Sequence, residues 1–200
     1  MLAEAARAGI AGARWVRARA EDLPAGLGRF RAVTFAQSFH WTDRARVAAT
    51  VLDMLEPGGW LVHIAELRDP LPPAPHPAPR HEPPYERIAA LVRDYLGPVR
   101  RAGQGTIPGG ETPGREDLVI AAAGFTEPRR LTVPAGPPVP RDTDDLVAWT
   151  FSLSSSAPHL FGDRAGAFER DLRALLNEAG GRFTEQPRPT DLQIWRKPPA

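Results

Sequence analysis

The fold is decided by the stretch Leu55-Glu56-Pro57-Gly58-Gly59-Trp60-Leu61-Val62-His63-Ile64. Leu55 ends an amphipathic run, and Pro57 cannot continue a helix because its ring clashes with the preceding turn. The two glycines that follow can take the positive φ that a helix end requires. The apolar run that begins at Trp60 is typical of a strand that is buried on both faces of a sheet. The stretch therefore predicts a helix that leads directly into a parallel strand.

The composition excludes several classes of site and partner. A length of 200 residues, 42% of them hydrophobic, suits one globular domain with a substantial core. A net charge of +1 gives no reason to expect nucleic acid or a membrane surface as partner. The chain has no cysteine, which excludes disulfides, thiolate zinc sites, iron–sulfur clusters and cysteine nucleophiles. Because no apolar run approaches the roughly 20 residues of a membrane span and no signal segment is evident, we expect a soluble, cytoplasmic protein.

Hydrophobic periodicity predicts how strands and helices alternate around the opening stretch. Strands are predicted over residues 14–19, 30–39, 60–64, 125–133 and 192–196. Helices are predicted over residues 1–8, 43–55, 85–96 and 115–123, and two more begin at the caps Thr143 and Asp163. Loops are predicted over residues 69–84, which hold eight prolines in sixteen positions, over 99–113 and over 135–141. This alternation is typical of a single α/β domain over residues 1–200.

The helix before the glycine turn has one clear apolar face. Its members are Val47, Ala48, Val51, Leu52 and Leu55, which recur at helical spacing. Either Thr42 or Asp43 can cap its first turn, since both side chains can accept a hydrogen bond from a free backbone N–H.

Several segments, taken in order, resemble the motifs of a known family. The earliest are Ala20-Glu21-Asp22-Leu23-Pro24, Val33-Thr34-Phe35-Ala36-Gln37-Ser38-Phe39-His40-Trp41-Thr42-Asp43 and Leu55-Glu56-Pro57-Gly58-Gly59. The later ones are Ala123-Gly124-Phe125, Phe151-Ser152-Leu153-Ser154-Ser155-Ser156 and Ile194-Trp195-Arg196. Together they resemble the class I S-adenosylmethionine-dependent methyltransferases, in the small-molecule branch known as type 11. The resemblance spans nearly the whole chain.

The resemblance implies a Rossmann-like, doubly wound α/β sheet with helices on both faces. The cofactor, S-adenosyl-L-methionine, would lie across the carboxyl ends of the strands, where open α/β sheets generally place ligands. Residues 1–66 would form the late core of the cofactor-binding sheet, and residues 85–200 the substrate-covering helices and the last two strands. Within the latter, residues 85–118 and 143–161 would cover a small-molecule methyl acceptor.

The resemblance also implies which residues border the cofactor and the acceptor. Ala20 and Glu21 fall beside the adenine ring, whereas Asp22 serves the turn that leads into Leu23 and Pro24. Beneath the methionine part of the cofactor would lie Ala36, Gln37 and Ser38. The reaction cleft would be lined by Phe39, His40 and Trp41.

The sequence departs from the family pattern at its start. The glycine-rich turn after the first family strand and the acidic residue that ends the second have no counterpart here. Residues 1–8 resemble the helix after the second strand, so we expect a sheet that lacks its first two strands. Arg19 and Arg31 also replace residues that are commonly acidic in relatives, and an arginine cannot accept a hydrogen bond from adenine. Cofactor binding by this chain is therefore a point to test.

The expected loss leaves the fourth family strand, residues 30–39, with an open apolar edge, which promotes pairing or aggregation unless it is covered. Three outcomes are open. The third strand closes onto the fourth; another chain supplies the missing strands, including by self-association through the edge; or the true chain begins upstream of Met1. We favour the last.

Each candidate residue has a structural alternative. His40 is a candidate general base, because imidazole titrates near neutrality, but a structural role is the interpretation we favour and no catalytic residue is assigned. Phe39 and Trp41 either stabilise a cation by cation–π contact or serve in aromatic packing. His76, His81 and Glu82 lie in proline-rich loop without the geometry of a structural metal site, so no metal is predicted.

Two functions from different classes remain. The first is S-adenosylmethionine-dependent methyl transfer to a small molecule, by an incomplete chain. The alternative is a non-catalytic methyltransferase remnant that acts as a binding or interaction module. The absence of a Gly-x-Ser-x-Gly elbow around Ser38 argues against a hydrolase.

Overall fold

The computed structural model describes residues 2–67, 81–99, 101–102, 105–106 and 115–199. Most of the predicted loops over residues 69–84 and 99–113 lie outside them. The chain forms two compact units. The first consists of Met1–Ile64, Arg115–Arg130 and Gln193–Ala200, and the second of Ala65–Gly114 and Leu131–Leu192.

The described residues contain helices and strands in a mixed order, which confirms the α/β prediction. The helices are α1 (Leu2–Arg7), α2 (Arg44–Met54), α3 (Tyr85–Leu96), α4 (Glu116–Ala122), α5 (Thr143–Ser152) and α6 (Ala165–Glu178). The strands are β1 (Phe30–Ala36), β2 (Leu55–Glu66), β3 (Arg101–Ala102), β4 (Gly105–Thr106), β5 (Arg129–Val133), β6 (Val139–Asp142), β7 (Arg182–Glu185) and β8 (Thr190–Arg196). None of the described helices combines the length and apolarity of a membrane span.

Four strands form the main sheet, in the order β1-β2-β8-β5. β1 and β2 are parallel, with Val33 opposite Leu61 and Phe35 opposite His63. β8 runs antiparallel to β2, because backbone bonds join Leu67 N to Pro189 O near one end and Lys197 N to Gly59 O near the other. Among the described strands, β1 lies at one end of this order.

The junction between α2 and β2 confirms the prediction made from the opening stretch. α2 ends at Met54, and the Leu55 N–H still bonds back to the last helical turn. Gly58 has a φ of 73°, a backbone conformation that a residue with a side chain adopts only with strain. A Cβ on Gly59 would lie 2.9 Å from Glu56 O and 3.1 Å from Arg31 O, so the turn leaves no room for a side chain.

Lys197 closes the same junction from the other end of the chain. Its Nζ donates to Leu52 O at 2.7 Å and to Leu55 O at 2.8 Å. Leu52 O lies in the last turn of α2, where it also accepts from the Leu55 N–H, and Leu55 O belongs to the first residue of β2. The C-terminal strand therefore helps to stabilise the turn that the sequence identified first.

The core of the first unit lies on one face of the sheet. Four of the five residues on the predicted apolar face of α2 are buried in this core, and the fifth, Leu52, packs against it half-buried. The buried residues are Phe35, Phe39, Val47, Ala48, Val51, Leu55, Leu61, Ile120, Phe125 and Trp195. On β1, Ala32, Thr34 and Ala36 alternate with these core residues and are exposed. Only the α2 side of β1 is therefore covered within the described part of this unit.

The second unit has its own core, formed mainly by α3, α5 and α6. Its buried residues are Ile88, Leu146, Val147, Phe161, Phe168, Leu172, Leu176 and Phe183. The antiparallel pair β6 and β7 joins this unit through Glu185, whose carboxylate accepts from the Tyr85 hydroxyl at 2.9 Å and from Arg141 Nε at 2.7 Å. The predicted apolar spacing of residues 85–96 thus corresponds to a real helix with an inward face.

Some predicted elements are wrong or displaced. Residues 14–19 form no strand, and Trp15 and Val16 are 44% and 37% exposed, because alternation makes a strand only where a neighbour pairs with it. The sequence missed β6 and β7, and it predicted residues 135–141 as loop.

Two predicted helix caps are also displaced. Asp142, rather than Thr143, caps α5 through a reciprocal pair of hydrogen bonds with Asp145. The Thr143 hydroxyl instead bonds Asn177 Oδ1 at 2.9 Å. A 3-10 turn from Gly162 to Arg164 precedes α6, so this helix begins later than its predicted cap at Asp163.

Candidate functional site

The first part of the candidate site is the short 3-10 turn Ala20–Asp22. The Glu21 side chain reaches across 22 residues of sequence and accepts a hydrogen bond at Oε1 from the backbone N–H of Asp43, at 3.1 Å. Asp43 is at the same time the cap of α2, since its own carboxylate accepts from the Arg46 N–H. One hydrogen bond thus ties the predicted adenine-bordering turn to the first turn of α2.

The electrostatics of this contact favour an ionised Glu21. The backbone N–H of Glu21 itself and then that of Asp43 lower the pKa of the carboxyl group, and Arg19 lowers it further, while partial burial opposes them. The Arg19 guanidinium lies 3.5 Å from the other carboxylate oxygen. Glu21 is therefore a carboxylate at neutral pH, and a carboxylate has about four lone-pair positions, more than these partners occupy.

The second part is the carboxyl end of β1. The Gln37 N–H bonds Ile64 O at 3.0 Å, which extends the pairing with β2 one residue beyond β1. Gln37 then turns the chain with a φ of 50°, an uncommon backbone conformation for a residue with a side chain. Ala36 and Gln37 are exposed here. Residues held in such conformations concentrate at ligand sites, which makes this turn a candidate on structural grounds.

The three aromatic residues after Ser38 have different environments. Phe39 is fully buried, and its ring packs 5.1 Å from the Phe35 ring and 6.1 Å from the His63 ring. The rings of His40 and Trp41 are in contact, with centroids 4.4 Å apart and planes tilted by 57°, and Trp41 is 40% exposed. The structure thus places Phe39 in the core and leaves His40 and Trp41 as the aromatic pair near the surface.

The structure brings most of the predicted site residues into one neighbourhood. Ala36, Gln37 and Ser38 lead into the 3-10 turn Phe39–Trp41, which precedes α2, and the Glu21–Asp43 hydrogen bond draws the turn at Ala20 to the start of that helix. The sequence identified Asp43 as a cap but missed that its backbone N–H anchors Glu21. A cap position leaves N–H groups without helical partners, and this was the available signal.

Metal chemistry receives no support from the described residues. Within residues 2–67, 81–99 and 115–199, no group of three His, Asp or Glu side chains is arranged to hold a metal ion. Of the three loop residues considered above, His76 lies outside the described residues.

Comparison with known proteins bears on the segment that holds this site. A model of the family described as "Methyltransferase domain" matches residues 1–63. No curated protein matches the chain. The family match favours the transferase over the interaction-module alternative.

Several solved structures are similar to the chain at a low level. A candidate methyltransferase of Bacillus halodurans is 15% identical, with a TM-score of 0.45 over 98% of this chain and 76% of that one. The [4+2]-cyclase SpnF is 16% identical, with a TM-score of 0.46 over 99% of this chain and 61% of that one. The YcgJ protein of Bacillus subtilis is 14% identical, with a TM-score of 0.43 over 99% and 76% of the two chains. The chain thus spans 61% to 76% of the length of these three proteins.

Proposed function

Because a model of the family described as "Methyltransferase domain" matches residues 1–63, we propose that this chain binds S-adenosyl-L-methionine and transfers its methyl group to a small molecule. The observation that carries the proposal is the Glu21–Asp43 hydrogen bond, at 3.1 Å. It draws the turn that the resemblance places beside the adenine ring to the start of α2, the helix that follows the residues expected beneath the methionine part.

The exposed polar groups of this region fit such a cofactor. The backbone of Ala20 and the ionised Glu21 would border the adenine ring, and Ala36, Gln37 and Ser38 would lie along the methionine part. An ionised carboxylate and a primary amide suit a ligand that carries a sulfonium, an amine and several hydroxyl groups. When bound, this cofactor supplies an electrophilic methyl group on a sulfonium.

The remaining residues of the site would act by positioning. We assign no catalytic base, because alignment and exclusion of water can supply much of the acceleration of a substitution. The half-exposed Trp41, whose ring contacts that of His40 at a tilt, offers an aromatic face to a cation or a flat acceptor. Phe39 would support this face from the core, through its ring contact with Phe35.

Calorimetric titration of the chain with S-adenosyl-L-methionine tests the proposal. We expect saturable binding, which Glu21→Gln weakens by roughly 10- to 100-fold because a hydrogen bond to a charged group is worth about 1.5–3 kcal/mol. The amide of this variant still offers an oxygen to the Asp43 N–H, so the turn is retained. Glu127→Gln is the control, since Glu127 is an exposed carboxylate of the first unit outside the site.

Two results would contradict the proposal at different levels. Failure of the parent chain to bind the cofactor rejects cofactor use by this chain. Equal affinities of the two glutamine variants retain cofactor binding but remove Glu21 from the site.

A further inference from the structure

The second unit contains a pocket that the candidate cofactor site does not use. It lies between α3 and the C-terminal end of α5 and encloses about 400 Å³. Its walls are mostly apolar and include Ile88, Val92, Leu96, Trp149 and Leu153. Small-molecule sites are typically concave, mostly apolar and roughly 300–1,000 Å³ in volume. We call this cavity the α3–α5 pocket.

One charged side chain lines the α3–α5 pocket. Arg93 lies on α3, is exposed, and is the one ionisable group besides Tyr85 among the lining residues. In the part of the chain that the structure describes, its guanidinium makes no ion pair with a carboxylate. A guanidinium at the edge of an apolar cavity is suited to a planar carboxylate, which it can bind through two parallel hydrogen bonds.

The hydroxyl groups of the pocket are largely committed to the protein. Thr150 Oγ1 donates to Leu146 O at 2.7 Å, and Ser156 Oγ donates to the carbonyl of Thr150. The Tyr85 hydroxyl donates to Glu185, and burial followed by this hydrogen bond raises its pKa, so its proton is retained. Three of the four lining hydroxyls therefore have their proton engaged, and Arg93 is the main donor left for a ligand.

The aromatic walls favour a flat ligand. The rings of Tyr85 and Trp149 have centroids 5.0 Å apart and are tilted by 56°. A third ring can pack against such a pair in the offset or edge-to-face geometry that aromatic groups prefer. A cavity of about 150 Å³ is enough for benzene, so the α3–α5 pocket has room for more than one ring.

We propose that the α3–α5 pocket binds a small molecule with a flat apolar body and a single carboxylate, the body lying against Tyr85 and Trp149 and the carboxylate against Arg93. A single guanidinium matches a monoanion. The site lies wholly within the second unit, in segments that the resemblance expects to cover the acceptor, but the proposal concerns binding alone and is independent of cofactor use.

Calorimetric titration with 2-naphthoate and its neutral isostere 2-naphthamide tests this proposal, without added cofactor. We expect the parent chain to bind the carboxylate about tenfold more tightly than the amide, since the two probes differ in the charge that meets Arg93. Arg93→Gln should remove this preference. Arg170→Gln, which makes the same change on α6 outside the pocket, should keep it.

A second pair of variants tests the location. Ala89→Phe places a ring at the exposed edge of the pocket and should weaken both probes, whereas Ala174→Phe, on an exposed position of α6, should not. Equal binding of the two probes by the parent chain, or failure of both to bind, would overturn the proposal. Equal loss of the preference in Arg93→Gln and Arg170→Gln would do so too, because net charge would then explain it.

Discussion

The glycine turn at the end of α2 gives the sharpest test of the structure. In Gly59→Ala the new methyl group would lie 2.9 Å from Glu56 O, 3.1 Å from Arg31 O and 3.3 Å from Leu55 Cβ. Two of these atoms are backbone oxygens, which cannot move aside as a flexible side chain does. Overpacking of this kind typically costs about 1–3 kcal/mol. For a chain of this length, about 2 kcal/mol corresponds to a fall in melting temperature of roughly 4–8 °C.

The control for this substitution is Gly136→Ala. A Cβ at Gly136 meets nothing within 4 Å, and its φ lies outside the region that favours glycine. Replacing such a glycine restricts the unfolded chain and should be neutral or stabilising, by up to about 1 kcal/mol. Urea unfolding followed by circular dichroism measures both variants. If Gly59→Ala is as stable as Gly136→Ala, the close approach of the turn to β1 does not exist.

Three further predictions concern stability. Lys197→Met should cost about 1–3 kcal/mol in urea unfolding, because the carbonyls of Leu52 and Leu55 at the α2–β2 junction lose a charged donor. Asp142→Ala should cost about 1 kcal/mol by removing the cap of α5, whereas the same change at Thr143 would leave that cap intact. The pKa of the Tyr85 hydroxyl is raised in the folded chain. Its contribution to the free energy of unfolding is therefore fully present below the unfolded pKa of about 10, and it is lost as the pH rises from there through the folded pKa. Tyr85→Phe should therefore unfold with a weaker dependence on pH between about 9 and 11 than the parent chain.

Local signals account for the elements that the sequence predicted correctly. The α2–β2 junction rests on Pro57 and on two glycines, each of which limits the backbone at its own position. The bounds of α3 follow from an apolar period that begins at Tyr85 and from Gly97, which ends the helix. Such features need no information about distant segments.

The misses have non-local causes. β6 contains Pro140, and proline suggests a connection, yet proline is tolerated in a two-stranded antiparallel pair where one side of the strand needs no partner. Residues 14–19 alternate like a strand but have no pairing neighbour among the described residues. β6 is a strand because of β7, which is distant in sequence, and residues 14–19 are not a strand because a partner is missing from the described part of the chain. Periodicity alone identifies neither outcome.

The candidate site shows the same limit more sharply. The resemblance implied that Ala20, Glu21 and the end of β1 border a cofactor, but the contact that joins Glu21 to the start of α2 uses a backbone N–H, which every residue but proline possesses. No side-chain pattern marks Asp43 as that donor. The α3–α5 pocket could not be predicted from the sequence either. Arg93 has the spacing of an ordinary surface charge on α3, and it lines a pocket only because α5 packs beside that helix.

Glu21 combines a structural and a proposed binding role, and the two can be separated. One carboxylate oxygen accepts from the Asp43 N–H, while the charge of the group is what a cofactor would meet. Glu21→Gln keeps the acceptor and removes the charge, whereas Glu21→Ala removes both. If the structure assigns the acceptor correctly, the alanine variant should be less stable than the glutamine variant by about 0.5–1.5 kcal/mol, the usual net value of one hydrogen bond. If the glutamine variant loses cofactor affinity but keeps its stability, the lost charge is the cause. Glu21 then acts in binding as well as in folding.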